Sequence, residues 1–343
     1  MYKKIIIFGF IVSLLGILDS VSPLLFETDL SSKIFTVLRF LTHYFSLDIS
    51  FDFLTGQLFG INVSMINKVN LIAAFLLFVA TLTYLISKGK NSVLIRILFS
   101  VLLISTILGC LRMLLFLIYY IQNRSNTDLQ VFYVVMFFLS ILKDIFVFYL
   151  TFQFLKYLQN SIELEKEKQV LASGDEYFNL IDTKSSLRLF HHLFDMILFW
   201  LIVFSFNSAN TIHLFSSVFN FHSVLFIELF ELFLIIVLYF LYYILFEFLF
   251  GISPAKILTG SRVVSFDDSK LSFGQIMIRT LCRRIPFEVF SFFGAEGWHD
   301  KLSKTRVVNE KNISAEHLWS KILFFLLLVI AIYLAILDYS GRF

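Results

Sequence analysis

Residues 224–250 read VLFIELFELFLIIVLYFLYYILFEFLF, an apolar run of 27 residues closed by Gly251-Ile-Ser-Pro254. As a helix rising 1.5 Å per residue it is about 40 Å long, against a bilayer core of about 30 Å. It must therefore tilt or protrude. Its few charges sit near the ends: Glu228 and Glu231 share a face at one end, and Glu247 lies three residues before Phe250 at the other.

The whole chain has the same character. Of 343 residues, 58% are hydrophobic and 15% charged, with 45 Phe but only 3 Pro and 13 Gly. Soluble domains carry about 25% charged residues, so a water-soluble globule of this size would lack the polar side chains to cover it. Composition thereby excludes a soluble enzyme, a disordered chain, a collagen-like repeat and a disulfide scaffold. The two cysteines, Cys110 and Cys282, fall in apolar or amphipathic helical stretches and read as small buried thiols.

Scanning outward gives seven candidate spans: 5–26, 69–87, 97–121, 131–155, 189–206, 224–250 and 318–338. The first follows Lys3 and Lys4 but lacks a small-residue cleavage site, so it reads as an uncleaved anchor. With the N-terminus inside, twenty Lys and Arg fall on the cytoplasmic side and five outside, with Arg112, Lys143 and Lys321 in or beside spans. This asymmetry follows the positive-inside rule. The fold expected is an all-α polytopic membrane protein with about seven transmembrane helices, N-terminus in and C-terminus out. Segment 27–68 is expected outside, with an interfacial helix over Ile34–Phe45.

The expected organisation is a four-span bundle over 1–160, a cytoplasmic linker over 161–184 and a three-span module over 185–343, with a cytoplasmic insertion at 251–317. The charge-rich start of the linker is expected to extend the fourth helix until Ser173-Gly174-Asp175 breaks it. In the insertion, Ser261-Arg-Val-Val264 and Thr305-Arg-Val-Val308 are near copies that suit a short β-ribbon. Ser272 is placed to cap a helix in which Phe273, Met277, Leu281 and Ile285 recur every four residues, apart from Gln275, Arg279 and Arg283. Two readings stand for it: packing against the bundle, or lying in the headgroup plane with Arg279, Arg283, Arg284 and the interfacial Trp298 toward lipid.

Several of these segments together resemble the RDD family, named for one Arg and two Asp. The resemblance rests on Arg188 and Asp195 at the fifth span, GISPAKILTGSRVV (251–264), LSFGQIMIRTLCRRIPFE (271–288) and GWHDKLSKTRVV (297–308), which holds Asp300. It covers about residues 185–308 and does not reach residues 1–180. It implies a multi-pass bacterial inner-membrane protein, with a link to transport or cation/proton antiport. Two departures stand out: Ala255 replaces a common Gly before the Lys, and the interval between Arg284 and Trp298 is too short for the family's third span, whose place is taken by 318–338.

Ionisable groups inside a bilayer are costly and mark sites or helix locks. Arg188, His191 or His192, and Asp195 stack on one helical face, with Asp195 about 10 Å deeper than Arg188. Glu247 enters at the depth of Arg188, which suggests a contact between them. With Asp195, Glu228 and Glu231, Glu247 would alternatively mark an acidic path for cations. In the N-terminal half, mid-span Arg112 is expected to pair with Asp144 or Asp19. Asp300 is expected to cap the turn after it or to bind Arg284 or Arg188.

No Walker loop, nucleophile elbow, zincin motif or dinucleotide fingerprint occurs, and His191-His192 with Asp195 lacks further metal ligands. The sequence therefore leads to no enzyme, metal, cofactor or nucleic-acid partner. Two functions follow from it. One is transport of small cations coupled to protons. The other is a non-catalytic scaffold or assembly factor, held by the same charges, whose 251–317 insertion meets a protein partner or a second copy.

Overall fold

The computed structural model describes residues 1–25, 63–122, 130–164, 166–170, 176–206, 224–267, 270–285, 288–293 and 297–311. The apolar runs form helices, in which each backbone N–H and C=O is satisfied within its own segment. Helices α1 (Tyr2–Leu25), α2 (Val63–Ile86), α3 (Val93–Gln122), α4 (Gln130–Asn160), α5 (Ser185–Phe206) and α6 (Val224–Tyr243) cover six of the seven expected spans. Among the described residues, Val93–Leu111 and Glu228–Phe248 are long and apolar enough to cross a membrane, and Leu71–Ile86 is a shorter apolar helix. The expected interfacial helix at 34–45 and span 318–338 lie outside the described residues.

Contacts divide the chain into two units: 1–155 with 201–231 and 322–343, and 156–200 with 232–321. In the first, α1 packs along α2, and Phe8 makes edge contacts with Phe99 and Phe154. Gly9 permits this approach: a Cβ there would lie 2.3 Å from the Thr81 hydroxyl oxygen, in keeping with small residues at membrane helix interfaces. Asp144 is buried beside Lys143 at 3.4 Å and abuts the backbone at Gly109. The side chain of Arg112, its expected partner, and that of Asp19, the alternative partner expected for Arg112, lie outside the described residues.

In the second unit, the linker departs from the expected helix extension. After α4 ends at Asn160, the chain forms an antiparallel hairpin of β1 (Lys166–Val170) and β2 (Glu176–Leu180). Mixed charges such as Lys166-Glu-Lys168 suit a strand as well as a helix, so spacing alone could not separate them. The ribbon expected from the repeated sequence is present: β3 (Ser261–Ser265) pairs antiparallel with β4 (Thr305–Asn309), with Val263 opposite Val307. Residues 181–183 run along β4, where Thr183 N–H donates to Val307 O and Asn309 N–H donates to Ile181 O. The segment entering α5 is thus tied to the end of the insertion.

Helix α6 passes into a π-helical turn, Ile244–Phe248, and stops at Gly251. Gly251 has φ +68°, and a Cβ there would press on Val263 O at 3.2 Å while Val263 N–H donates to Gly251 O. This glycine brings the helix end against β3. Short α7 (Pro254–Thr259) follows, and α8 (Phe273–Cys282) begins with a capping box: Ser272 accepts from Gln275 N–H while the Gln275 side chain accepts from Ser272 N–H. A 3₁₀ turn (Glu288–Phe293) and α9 (Trp298–Ser303) complete the unit.

Candidate functional site: a buried charge network

Glu247 lies in the π-helical turn that ends α6, a local widening of the helix often found at functional sites. It is 0% exposed. Oε1 accepts from Lys256 Nζ at 2.8 Å and Arg283 Nη2 at 2.6 Å, and Oε2 accepts from Arg279 Nε at 3.2 Å. The three cations come from α7, from α8 and from the residue that ends α8. Arg279 is a bridge, since its Nη1 donates to Asp300 and, at 2.7 Å, to Thr305 Oγ1. Asp300 is also reached by Arg188 Nη1 at 3.4 Å, while Arg188 Nε donates to Thr183 O. The result is a continuous line of alternating charge, Lys256 and Arg283 to Glu247 to Arg279 to Asp300 to Arg188. It joins α5, α6, α7, α8 and α9.

Asp195 is 1% exposed and stands beside this line. Its Oδ1 accepts from Tyr242 OH at 3.0 Å and from Ala255 N–H at 3.2 Å, so it holds α7 against α5 and α6. His191 Nε2 meets Thr259 Oγ1 at 2.5 Å and Ser261 Oγ at 3.2 Å. His191, His192, Asp195, Lys256, Arg279 and Arg283 line a small cavity. It has room for about one water.

Outside the spanning segments, burial lowers the Lys256 ammonium below its usual range, with Glu247 opposing that shift. His299 contacts Glu288 through Nδ1 and faces Asp300 at 3.5 Å through Nε2. Burial, then the neighbouring Arg279 and Arg283, hold this imidazole well below its ordinary range against the pull of Glu288. The folded chain therefore keeps His299 neutral where the unfolded chain binds a proton below about pH 6.5. Its contribution is whole above that value and is lost as pH falls toward the depressed folded value. The thermal midpoint of purified protein is expected to drop between pH 7.5 and 5.5, and His299→Gln to reduce that drop. A pH profile unchanged by the substitution would remove His299 from the account.

Arg188, Asp195, Asp300 and Glu247 are thus brought into one neighbourhood. The expected contact between Glu247 and Arg188 is replaced by a relay, because Arg279 lies between Glu247 and Asp300. Of the choices open for Asp300, the pairing with Arg188 is the one formed. Arg279 and Arg283 do not face headgroups: both are buried on Glu247, while Arg284 lies exposed over the Tyr239 ring at 3.7 Å and Trp298 is exposed. Glu228 is exposed, and the Glu231 side chain lies outside the described residues. Among the described residues no group of three or more His, Cys, Asp or Glu is placed to hold a metal ion.

Lys256, Tyr242, Glu288 and Thr305 complete the network without having been singled out in the sequence. Lys256 could be counted only as one more inside charge, and Tyr242 as one of 14 tyrosines.

Helices with charged groups turned inward and apolar groups turned outward define a module of the membrane-protein class. Residues 184–342 match the sequence model of the RDD family. No curated protein and no solved structure matches the chain.

Proposed function

We propose that the chain is a multi-pass bacterial inner-membrane protein whose RDD segment is a non-catalytic scaffold or assembly module. In this reading the charged residues lock helices together, and the surface of 251–317 is available to a protein partner or a second copy. The observation that carries it is the enclosure of Glu247, with both carboxylate oxygens held by three buried cations. An ion path needs groups that release their partners, and a carboxylate held by three buried cations has no low-cost way to do so.

A second reading, transport of small cations coupled to protons, is favoured by Asp195. Its Oδ1 accepts from a phenol and a backbone N–H, and it shares the one-water cavity with His191 and His192. Reconstituted vesicles separate the two. Under an imposed pH gradient, addition of sodium, potassium or lithium is expected to dissipate no more gradient than in protein-free vesicles, and Asp195→Asn to behave as wild type. Cation-dependent dissipation that Asp195→Asn abolishes would replace the scaffold with the transporter.

A further inference from the structure

In water a helix buries its apolar face and exposes its charges; α8 buries its arginine along with Ile276 and leaves Phe273, Ile278 and Leu281 exposed. Arg279 is 1% exposed and Arg283 is buried, whereas Leu281 is 53% exposed and Phe273, Ile278 and Ile285 are exposed as well. The inversion continues through the next two elements. In the 3₁₀ turn Glu288 is buried and Phe290 is 63% exposed; in α9 His299 and Asp300 are buried and Leu302 is 55% exposed.

The packing of α8 gives the depth of this inverted surface. Phe273 makes an edge contact with Phe248 at 5.6 Å, Arg279 reaches Glu247, Arg283 lies over Tyr243 at 4.0 Å and Arg284 over Tyr239 at 3.7 Å. As α8 advances from 273 to 284 it therefore climbs α6 backwards from 248 to 239. The nine-residue advance through the end of α6 and its π-helical turn is about 13 Å of helix, taken from the inner end of the apolar segment Glu228–Phe248.

From this juxtaposition we infer that residues 273–303 form a re-entrant half-span, entering the bilayer beside α6 and turning back, with Phe273, Ile278, Leu281, Phe290 and Leu302 facing lipid acyl chains. The inference rests on the membrane reading of the chain and departs from a cytoplasmic insertion. Helix α8, at 10 residues, covers about 15 Å, half of a bilayer core. The reversal after it meets the requirement that backbone at depth be satisfied locally: Arg284 N–H donates to Leu281 O, Ile285 N–H to Cys282 O and Glu288 N–H to Ile285 O. Exposed Lys270 stands just before the segment, and exposed Lys301 and Lys304 at its return, where cations meet anionic headgroups. The surface left for a partner is then the ribbon and the residues around it.

Nitroxide labels on single cysteines test this in reconstituted vesicles of phosphatidylethanolamine and phosphatidylglycerol. The full chain would carry Cys110→Ser and Cys282→Ala, with Leu281→Cys, Phe233→Cys on α6, or Lys301→Cys. Collisions with dissolved oxygen are expected to exceed those with a water-soluble nickel chelate severalfold at positions 281 and 233, and the order to reverse at 301. Nickel dominance at 281 with oxygen dominance at 233 would overturn the half-span while sparing the membrane reading; nickel dominance at 233 would overturn that reading itself. A label at 281 reached by neither reagent would mean that protein covers the face, and would overturn the lipid assignment. On the unsubstituted chain, a membrane-dissolved carbene precursor should tag peptides from both 232–248 and 273–303. Tags confined to the first would also refute it.

Discussion

Replacing Glu247 by glutamine is expected to cost about 3–5 kcal/mol, the range for removing one partner from a buried ion pair. The amide keeps the volume but removes the charge that Lys256, Arg279 and Arg283 share. Its NH₂ would also point a donor at groups that can only donate. Lys256 can respond by losing its proton, since burial already lowers its affinity for one. The guanidinium groups cannot, so two buried charges lose their nearest anion and α8 loses its hold on α6. The measurement is the thermal midpoint of the purified, detergent-solubilised protein, expected to fall by on the order of 10 °C. A midpoint within a degree or two of wild type would show that Glu247 carries no structural load.

The second large effect is expected at Arg279, by substitution with methionine. Arg279 is the link shared by both carboxylates, with Nε on Glu247 and Nη1 on Asp300 and Thr305. Methionine fills much of the stem's space but leaves Thr305 Oγ1 without that donor and Asp300 with Arg188 as its remaining cation. The expected loss is again about 3–5 kcal/mol, with one difference from the Glu247 change. Because Thr305 begins β4, the ribbon should loosen too, and protease cleavage near 305–309 should accelerate in Arg279→Met but much less in Glu247→Gln. Arg279→Lys should recover little, since one ammonium cannot span two carboxylates as a planar fork does. Equal cleavage rates in the two variants would contradict the bridging role.

The sequence shows the helices plainly because an apolar run of twenty residues has few alternatives in lipid, and it shows the ribbon because Ser261–Val264 and Thr305–Val308 repeat each other. The cap at Ser272 is equally local and equally legible. The orientation of α8 is not. A stripe of Phe273, Met277, Leu281 and Ile285 opposite Arg279 and Arg283 defines two faces of a helix but not which of them meets protein; that depends on whether water or lipid lies outside. The Arg188–Asp300 pair joins residues far apart in the chain, and only the resemblance to the family set them side by side. Glu247 was visible as a charge in an apolar run, yet its three partners come from α7 and α8, whose positions follow from the Gly251 turn. In the linker, the β-hairpin is not legible because mixed charges at short spacing suit a strand and a helix alike.

The central claim is that Glu247 and Arg279 act as one lock rather than as separate stations on an ion path. A double-mutant cycle on thermal stability tests it most directly, using Glu247→Gln, Arg279→Gln and the two together. If the lock is real, the double variant's loss falls short of the sum of the single losses by about 1–3 kcal/mol, because the second substitution removes a group the first had already stranded. Losses that add to within about 0.5 kcal/mol would show that the two residues do not depend on each other, and the network would then not be what holds this module together.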